Sequence, residues 1–294
     1  MRVLVLGAAG MLGHKLLQTL SGIHDAVGTV RDEAALHARH PVLGGHRLFG
    51  GVRAEDFDSV VRAFAHLRPD AAVNCIGIVK QLPSANDPIA CLTVNSLFPH
   101  RLAELCRATG SRLVHVSTDC VFTGRRGNYA ESDPPDADDL YGRSKLLGEP
   151  LGPSCVTLRT SMIGRELRSR HGLLEWFLKN RGGEAAGWSR AVTTGLTTAA
   201  LSRLIRDLLE RHLGLSGLWH AASHPISKYD LLALINQALE LGVRLRRDDA
   251  TACDRSLDGS RFRAAVGWTP PSWPDMIAEL ARDPIPYGDL AREP

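Results

Sequence analysis

The sequence lacks the features that mark several classes of protein. Its six cysteines form no C-x-x-C pair and no cluster of histidine and cysteine with the spacing of a zinc site. The 35 basic and 32 acidic residues leave a net charge of only +3, and no basic stripe is interleaved with aromatic residues. No internal repeat or low-complexity tract is present. We therefore expect neither a bound metal nor a nucleic-acid partner.

Long apolar runs are also missing. The longest, residues 3–13, is well short of the roughly 18 residues that a membrane-spanning helix needs, and no signal-peptide cleavage site follows it. Most cysteines lie in apolar stretches, as buried free thiols do in a reducing compartment. We therefore expect no membrane association and a cytoplasmic location. Lysine is scarce, with five among the 35 basic residues, so a lysine at a chemically useful position stands out.

The hydrophobic pattern divides the chain at about residue 163. Before it, short β-branched runs alternate with helical patterns, which is typical of β-α-β units in a doubly wound parallel sheet. Strands are predicted at 2–6, 25–30, 46–49, 71–76, 112–117 and 155–160, and helices at 11–20, 55–67, 89–108 and 140–149. Beyond it lie all five tryptophans, helical patterns at 173–181, 198–212 and 227–241, and one predicted strand at 217–222. The pattern predicts an α/β protein with domains at 1–163 and 164–294.

A glycine loop follows the first predicted strand. Gly7, Gly10 and Gly13 stand between that strand and the first helix, the placement that gives a dinucleotide-binding fingerprint its meaning. The first glycine permits a sharp turn, the second lets the backbone approach a pyrophosphate, and the third allows close contact between helix and sheet. The helix N-terminus at Met11 and Leu12 is expected to face the pyrophosphate. We therefore expect residues 1–163 to form a dinucleotide-binding Rossmann domain and residues 164–294 a smaller substrate-binding domain.

The end of the second strand indicates which dinucleotide is bound. The residue that reads the adenosine ribose is expected about 20 residues after the glycine loop, where Arg31 and Asp32 stand. A guanidinium pairs with a ribose 2′-phosphate, whereas a carboxylate accepts from a ribose hydroxyl. Arg31 therefore favours NADP(H) over NAD(H), and the adjacent Asp32 keeps NAD(H) open.

A second constellation carries acid–base chemistry. Tyr141 and Lys145 are four residues apart on a predicted helix, so both project from one face. A neighbouring cation favours the phenolate and is expected to lower the pKa of Tyr141. Ser117 and Thr118 end a predicted strand, and ligands of α/β sheets bind beyond the carboxyl ends of strands. Thr118 is therefore placed to donate a hydrogen bond to a carbonyl oxygen that Tyr141 protonates.

Three further residues are expected beside the cofactor. Asn74 lies at the carboxyl end of the preceding strand, and Gly77 lets the backbone come close to the cofactor. Asn95 falls inside the next predicted helix. A polar residue at mid-helix indicates a structural or proton-relay role.

Together these motifs resemble a known family. The spacings G-x-x-G-x-x-G at 7–13, N-x-x-G at 74–77, S-T-D at 117–119 and Y-x-x-x-K at 141–145 resemble an extended short-chain dehydrogenase/reductase. The segments 117–124, 141–145, 158–161 and 217–220 narrow the resemblance to the dTDP-4-dehydrorhamnose reductase group.

The resemblance implies a catalytic triad of Thr118, Tyr141 and Lys145. Hydride would pass from NAD(P)H to the C4 ketone of a nucleotide-linked deoxysugar, and Ser117, Asn74, Gly77, Tyr141 and Lys145 would border the cofactor. The C-terminal part would bind the sugar and its nucleoside diphosphate. A homodimer is one candidate assembly.

The substrate side departs from the group's pattern. Cys120 stands where an aromatic residue is usual, so the wall of the sugar pocket is expected to differ. Lys80 is placed to meet a phosphate or a sugar oxygen, or else to lie in a solvated loop. The arginines at 159, 190, 255 and 261 are candidates for the diphosphate by residue type. Arg261 is selected among them because the resemblance places an arginine in that region.

Other functions on the same fold stay open. A nucleotide-sugar epimerase retains its cofactor, and a dehydratase adds an acid pair beside the threonine, whereas Asp119 is followed here by Cys120. A regulatory subunit that binds dinucleotide without turnover is a third reading. A nucleophilic Cys120 is a fourth, but the sequence suggests no histidine partner beside it.

Overall fold

The computed structural model describes residues 1–32, 41–167, 170–284 and 287. Its strands are β1 (Arg2–Leu6), β2 (Asp25–Thr29), β3 (Arg47–Phe49), β4 (Ala71–Asn74), β5 (Arg112–Val116), β6 (Cys155–Arg159), β7 (Met162–Ile163), β8 (Glu184–Thr193), β9 (Leu196–Thr197), β10 (Gly217–His220), β11 (Ile226–Ser227) and β12 (Arg244–Asp254). Its helices are α1 (Met11–Leu20), α2 (Phe57–Leu67), α3 (Pro88–Cys91), α4 (Phe98–Thr109), α5 (Leu140–Leu147), α6 (Leu173–Leu178), α7 (Thr198–Arg211), α8 (Lys228–Ala238), α9 (Ser260–Val266) and α10 (Trp273–Ala281). No helix among these described residues is both long and apolar enough to cross a bilayer.

Seven parallel strands form the central sheet in the order β10-β6-β5-β4-β1-β2-β3. The strand order reverses between β1 and β4, and open α/β sheets bind their ligands at such a switch point. The register pairs Leu6 with Asn74 and Asn74 with His115, so the carboxyl ends of β1, β4 and β5 are level. The glycine loop, the Asn74 turn and the Ser117 turn therefore meet at one edge. The predicted α/β class with a doubly wound parallel sheet is confirmed.

Successive side chains of β1 enter two different cores. Val3 and Val5 pack into the larger cluster, whereas Leu4 and Leu6 pack into the cluster on the other face. Because both faces are covered, the central strands are buried continuously. This explains why their apolar residues occur in short runs rather than in strict alternation with polar ones.

The second part of the chain adds two small sheets. β11, β8 and β12 form one of them, and β7 pairs with β9. β10 returns to the central sheet beside β6, and α7 packs against α1. Residues from both sides of position 163 therefore share one core, and the division at that position stays a prediction.

The sequence reading missed most strands of this part. It predicted only the strand at 217–222, which is β10, and gave no strand at β8 or β12. These two strands are rich in alanine, arginine and aspartate, residues with little β propensity, and their pairing with each other holds them extended. Tertiary pairing here overrides local preference.

The predicted helix at 89–108 is divided into three pieces. A π-helical turn (Leu92–Leu97) lies between α3 and α4. Within this turn the Asn95 carbonyl oxygen faces Gly148, at the end of α5. A Cβ at Gly148 would lie 1.7 Å from that oxygen. The glycine therefore allows the end of α5 to pack directly on the π turn.

Candidate active site

The glycine loop forms a tight turn against α1. Gly7 has a φ of +84°, and its N–H donates to Thr29 Oγ1 at 3.2 Å. The Gly10 N–H donates to the Gly7 carbonyl at 2.9 Å. A Cβ on Gly13 would lie only 2.1 Å from that carbonyl oxygen, so the helix backbone packs directly on the loop. The predicted need for glycine at these positions follows from these contacts.

The start of α1 fits a dinucleotide pyrophosphate. The helix begins at Met11, next to Leu12, and the preceding Gly10 has no side chain with which to cap it. The sequence puts no carboxylate in the first turn. The first N–H groups of a helix have no acceptor within it and carry partial positive charge. These donors suit an anion, and at Gly10 the space beside the backbone is open beyond the Gly7 carbonyl at 3.3 Å.

Asn74 shapes the turn that follows β4. Its Oδ1 accepts from the Ile76 N–H at 3.0 Å, and its amide nitrogen lies 3.0 Å from His115 Nδ1. Burial, together with the charge of Lys145, lowers the pKa of His115 well below its ordinary value, so the ring is neutral. The Asn74 amide can then donate to Nδ1. The Asn74 side chain thus supports the turn from inside, and a direct cofactor contact stays a prediction.

Asn95 joins the loop after β4 to α5. Its Oδ1 accepts from the Ile78 N–H at 2.9 Å, and its amide donates to the Ile78 carbonyl at 3.1 Å and to Ser144 Oγ at 3.2 Å. A Cβ on Gly77 would lie 3.5 Å from Asn95 Oδ1 and 3.9 Å from Lys145 Nζ. The structure therefore brings Gly77, Asn95 and Lys145 together, as a site at this edge requires.

Lys145 presents a buried ammonium to the end of β5. Its Nζ donates to the Val116 carbonyl at 2.9 Å. Burial lowers the pKa of Lys145 to about 8, and the nearby Glu149 opposes that fall. The side chain is therefore still charged at neutral pH.

Tyr141 lies one turn before Lys145 on α5, with Thr118 close enough to act on its hydroxyl. Burial and the neighbouring Cys120 raise the pKa of Tyr141 by more than Thr118 lowers it. The expectation of a Tyr141 pKa lowered by its neighbouring cation is therefore wrong for this structure. The Lys145 ammonium is turned to the Val116 carbonyl, and Tyr141 is a neutral phenol.

The hydroxyl and the N–H of Ser117 both donate hydrogen bonds to other parts of the protein. Its hydroxyl donates to Glu149 Oε1 at 2.6 Å, and its N–H donates to the Leu158 carbonyl at 2.7 Å. The hydroxyl thus links the end of β5 to the residue that follows α5. The cofactor contact expected of Ser117 stays a prediction.

Arg31 lies two residues beyond β2. Its Nη2 is 3.6 Å from Glu55 Oε1, and both side chains are about half exposed. This is the edge at which an adenosine ribose would be read. The guanidinium is accessible there, with a carboxylate as its present partner.

Lys80 and Cys120, which are expected on the substrate side, lie in different places. Lys80 Nζ donates to Asp139 Oδ2 at 2.5 Å, and Asp139 caps α5 by accepting from the Gly142 N–H at 2.7 Å. Cys120 lies beside Thr118, whose Oγ1 accepts the Cys120 N–H at 3.1 Å. Burial, with the charge of Asp119, raises the pKa of Cys120 to about 12, which disfavours a thiolate nucleophile. Lys80 and Cys120 thus lie on either side of the start of α5.

Arg255 and Arg261, two of the candidate arginines, lie in different places. Arg261 Nη1 donates to the Leu218 carbonyl at 3.0 Å, and its guanidinium stacks 4.0 Å from the Trp219 ring. Arg255 instead donates through Nε to the Phe122 carbonyl at 2.8 Å, and its charge acts on Cys120. The structure thus brings Arg255 beside Cys120, and the substrate role expected of Arg261 stays a prediction. Arg255 follows β12, and the pairing of β12 with β8 places it beside Cys120. No local sequence pattern predicts that pairing.

These features define the class of protein. A doubly wound parallel sheet, a glycine loop at the start of α1 and a tyrosine and lysine on one helix beside a threonine are those of an extended short-chain dehydrogenase/reductase. Within this class, the chain belongs to the family described as the RmlD substrate binding domain, whose model matches residues 1–282. The resemblance that the motifs indicated is therefore confirmed.

Individual relatives agree with the family match. The dTDP-4-dehydrorhamnose reductase of Burkholderia thailandensis is 29% identical over 239 residues, which cover 76% of this chain and 73% of that protein. The probable low-salt glycan biosynthesis reductase Agl14 of Haloferax volcanii is 31% identical over 304 residues, covering 95% and 97%. Matches to two Streptomyces reductases span about half the length of those proteins. Methionine adenosyltransferase 2 subunit beta of Danio rerio is also similar, at 28% over 254 residues, covering 82% and 74%.

A solved structure shares the fold. The dTDP-4-dehydrorhamnose reductase of Bacillus anthracis, in complex with NADP, superposes with a TM-score of 0.78 at 20% identity. The match covers 95% of this chain and 98% of that one.

We expect Gly10→Ala and Gly13→Ala to fail in different ways. The Gly13 methyl would collide with the Gly7 carbonyl, so this variant should lose about 1–3 kcal/mol of unfolding free energy. Among the atoms that the structure describes, the Gly10 methyl would meet only the Gly7 carbonyl oxygen, at 3.3 Å, but it would occupy the approach to the helix N-terminus. Gly10→Ala should therefore keep its Tm and bind NADPH about tenfold or more weakly. Thermal denaturation and fluorescence titration measure the two effects.

Gly45→Ala is the matched control, because its added Cβ would meet no atom of the described residues within 4 Å. It should change neither Tm nor affinity. Normal NADPH binding by Gly10→Ala would contradict the assignment of this loop to the pyrophosphate.

Proposed function

We propose that this protein is an NAD(P)H-dependent reductase that converts the 4-keto group of a nucleotide-linked deoxysugar into a hydroxyl. The observation that carries the proposal is the Lys145 ammonium buried against the Val116 carbonyl at the carboxyl end of β5, with Tyr141 one turn earlier on the same helix and Thr118 two residues beyond that carbonyl. The glycine loop opens at the same sheet edge. Family membership and the reductase names of two relatives support the choice of substrate class.

The protonation states suit reduction. Tyr141 is a neutral phenol because burial raises its pKa, and Lys145 is an ammonium below about pH 8. Bound NADPH supplies a hydride to the carbonyl carbon. Tyr141 gives its proton to the carbonyl oxygen, Thr118 donates a hydrogen bond to the same oxygen, and Lys145 stabilises the phenolate that forms. Solvent then returns a proton to the Tyr141 phenolate.

NADPH is the proposed preferred cofactor. The support is the accessible Arg31 guanidinium at the end of β2, whose charge suits a 2′-phosphate. The phosphate would replace Glu55 as its partner. The six cysteines are free thiols, which supports the predicted reducing cytoplasm.

The sugar diphosphate is proposed to bind on the α5 side of the triad. Cys120 would form part of the wall of the sugar pocket. Lys80, whose Nζ donates to Asp139 at the start of α5, would bind an anion at that place. Arg255 joins this set because its charge already acts on Cys120. Arg261 remains a candidate for the outer phosphate, since its guanidinium is about half exposed.

A regulatory dinucleotide-binding subunit is the second candidate function. The similarity to methionine adenosyltransferase 2 subunit beta favours it, since that protein is named as a subunit. A binding subunit has no chemical need for Tyr141, Thr118 and Lys145 together, so the reductase is preferred.

Turnover with purified protein tests the reductase. We expect NADPH absorbance to fall on addition of a dTDP-linked 4-keto-6-deoxy sugar. Tyr141→Phe should lower kcat about 10²–10⁴-fold, because the proton donor is lost, while the Kd for NADPH stays close to that of the wild type. Thr118→Val, which lacks the hydroxyl, should lower kcat in the same direction. Full turnover by Tyr141→Phe would remove the proposed acid, and NADPH binding without turnover of any 4-keto nucleotide sugar would favour the regulatory subunit.

Arg31→Ala tests the cofactor preference. We expect the KM for NADPH to rise about tenfold, the effect of losing one charge-assisted hydrogen bond, while the KM for NADH changes little. Glu55→Gln is the matched variant, since it removes the competing carboxylate and should lower the KM for NADPH. Equal changes for both cofactors in Arg31→Ala would show that Arg31 does not read the 2′-phosphate.

A homodimer is the proposed assembly. α3 and the π-helical turn pack beside α5, and this side of the molecule exposes the apolar side chains of Ile89, Leu97, Leu147 and Leu151. Light scattering should give twice the chain mass of 31.9 kDa. Ile89→Glu should yield monomer, whereas Leu213→Glu, an exposed leucine after α7, should not. A monomeric wild type would refute the dimer.

A further inference from the structure

A buried carboxylate lies behind the proposed triad. Glu149 follows α5, and its side chain is 7% exposed. Its Oε1 accepts from Ser117 Oγ at 2.6 Å and from Arg159 Nε at 2.8 Å, while its Oε2 accepts from Arg159 Nη2 at 2.7 Å. The Arg159 side chain is 3% exposed. The result is a bidentate ion pair with a third hydrogen bond, shielded from water.

This cluster joins the elements that carry the triad. Ser117 stands between Val116, whose carbonyl accepts from Lys145, and Thr118. Arg159 is the last residue of β6, the neighbour of β5 in the sheet. Glu149 therefore links the ends of β5 and β6 to the end of the helix that bears Tyr141 and Lys145.

The link continues to the next strand. Arg159 Nη1 lies 3.5 Å from His220 Nε2, at the end of β10, and the guanidinium stacks 5.3 Å from the Phe122 ring. His220 Nδ1 in turn lies 3.0 Å from the Tyr129 carbonyl oxygen. The ion pair is thus at the centre of a polar network across three strand ends.

Stability alone does not account for such a pair. Desolvating two charges costs several kcal/mol per ion, and apolar residues of similar volume often serve stability equally well or better. An apolar pair could not, however, hold the Ser117 hydroxyl or place a negative charge near Lys145. These are the contacts by which Glu149 acts on the site.

We propose that Glu149, held by Arg159, is a positioning residue that fixes the strand end bearing Thr118 against the helix bearing Tyr141 and Lys145. The proposal rests on the proposed reductase function only for its kinetic consequence. The placement of Lys145 can be tested in the ligand-free protein.

The charge environment of Lys145 gives the proposal a spectroscopic readout. Glu149 raises the pKa of Lys145 against the larger effect of burial. Cys75, whose pKa burial raises to about 12, and His115, whose pKa is held far below its ordinary value, are uncharged at neutral pH. Tyr141, one turn earlier on α5, is also neutral. Removing the Glu149 charge would take away the contribution that raises the Lys145 pKa, so that pKa should fall.

The experiment is an NMR titration of protein labelled with ¹³C at lysine Cε. The chain has five lysines, so few signals are expected, and Lys145→Met identifies that of Lys145. In Glu149→Gln, the Lys145 titration should move to lower pH while the other four lysines keep theirs. With NADPH and a 4-keto nucleotide sugar, kcat should fall at least about tenfold, the high-pH limb should move in the same direction, and the KM for NADPH should stay near its wild-type value.

Three variants separate positioning from general damage. Ser117→Ala removes only the hydroxyl and keeps the ion pair, so it should lower kcat less than Glu149→Gln does and still decides the question if the glutamine variant fails to fold. The pair Glu149→Leu with Arg159→Met should fold, yet titrate Lys145 at lower pH. Glu279→Gln removes a carboxylate that is bidentate on Arg203 in α7 and should leave the Lys145 titration unchanged.

Two results would overturn the proposal. One is an unshifted Lys145 titration in both Glu149 variants, and the other is a wild-type kcat in Ser117→Ala and Glu149→Gln together. Absence of turnover by the wild-type protein would instead reject the proposed function, and the NMR titration would still decide whether Glu149 acts on Lys145.

Discussion

The buried contact between the Lys145 ammonium and the Val116 carbonyl is the interaction on which the site depends. A cation without water needs acceptors, and the last carbonyl of a parallel strand offers one at the sheet edge. Satisfying it requires α5 to lie very close to that edge. Gly142 permits this approach, since a Cβ there would be 2.3 Å from the Cys120 carbonyl oxygen. Gly148 lets the other end of α5 pack on the π-helical turn, since a Cβ there would be 1.7 Å from the Asn95 carbonyl oxygen. The helix that carries Tyr141 and Lys145 is thus placed by backbone contacts at both ends.

The polar residues around this contact divide into two groups. Asn74, Asn95 and Ser117 bond to the protein itself and hold the loops after β4 and β5 in shape. Thr118 and Tyr141 are the ones proposed to meet the substrate, although Thr118 Oγ1 also accepts from the Cys120 N–H. Residues of the first group resemble ligand contacts in a sequence because they too are polar and lie near the same sheet edge. Their hydrogen-bond partners, which depend on the fold, show what they hold in place.

The same distinction explains how far the sequence could predict the structure. The central sheet, the glycine loop and the Tyr141 helix were predictable because each is encoded within a few residues and the parallel topology then brings the strand ends together. β8 and β12 were not, because the pairing that holds Glu184 beside Arg244 joins segments 60 residues apart with weak local propensity. Arg255 is brought to the site by that pairing. The sequence does not reveal the pairing, so it gave no reason to prefer Arg255 to Arg261. The direction of the Tyr141 pKa also depended on burial, which a spacing of four residues does not reveal.

The two sides of the site are built in different ways, and this bears on specificity. The cofactor side consists mainly of backbone donors at the start of α1, which are ready before any ligand arrives. The cations proposed for the ligands already have acceptors: Arg31 has Glu55, Lys80 has Asp139, and Arg255 has the Phe122 carbonyl. An anion that binds there must replace or share these partners, so part of its interaction energy offsets the contacts it displaces. A ligand with too little charge gains nothing from the exchange. Discrimination among phosphorylated ligands therefore follows from the acceptors that the cations hold in the free protein, as well as from the number of cations.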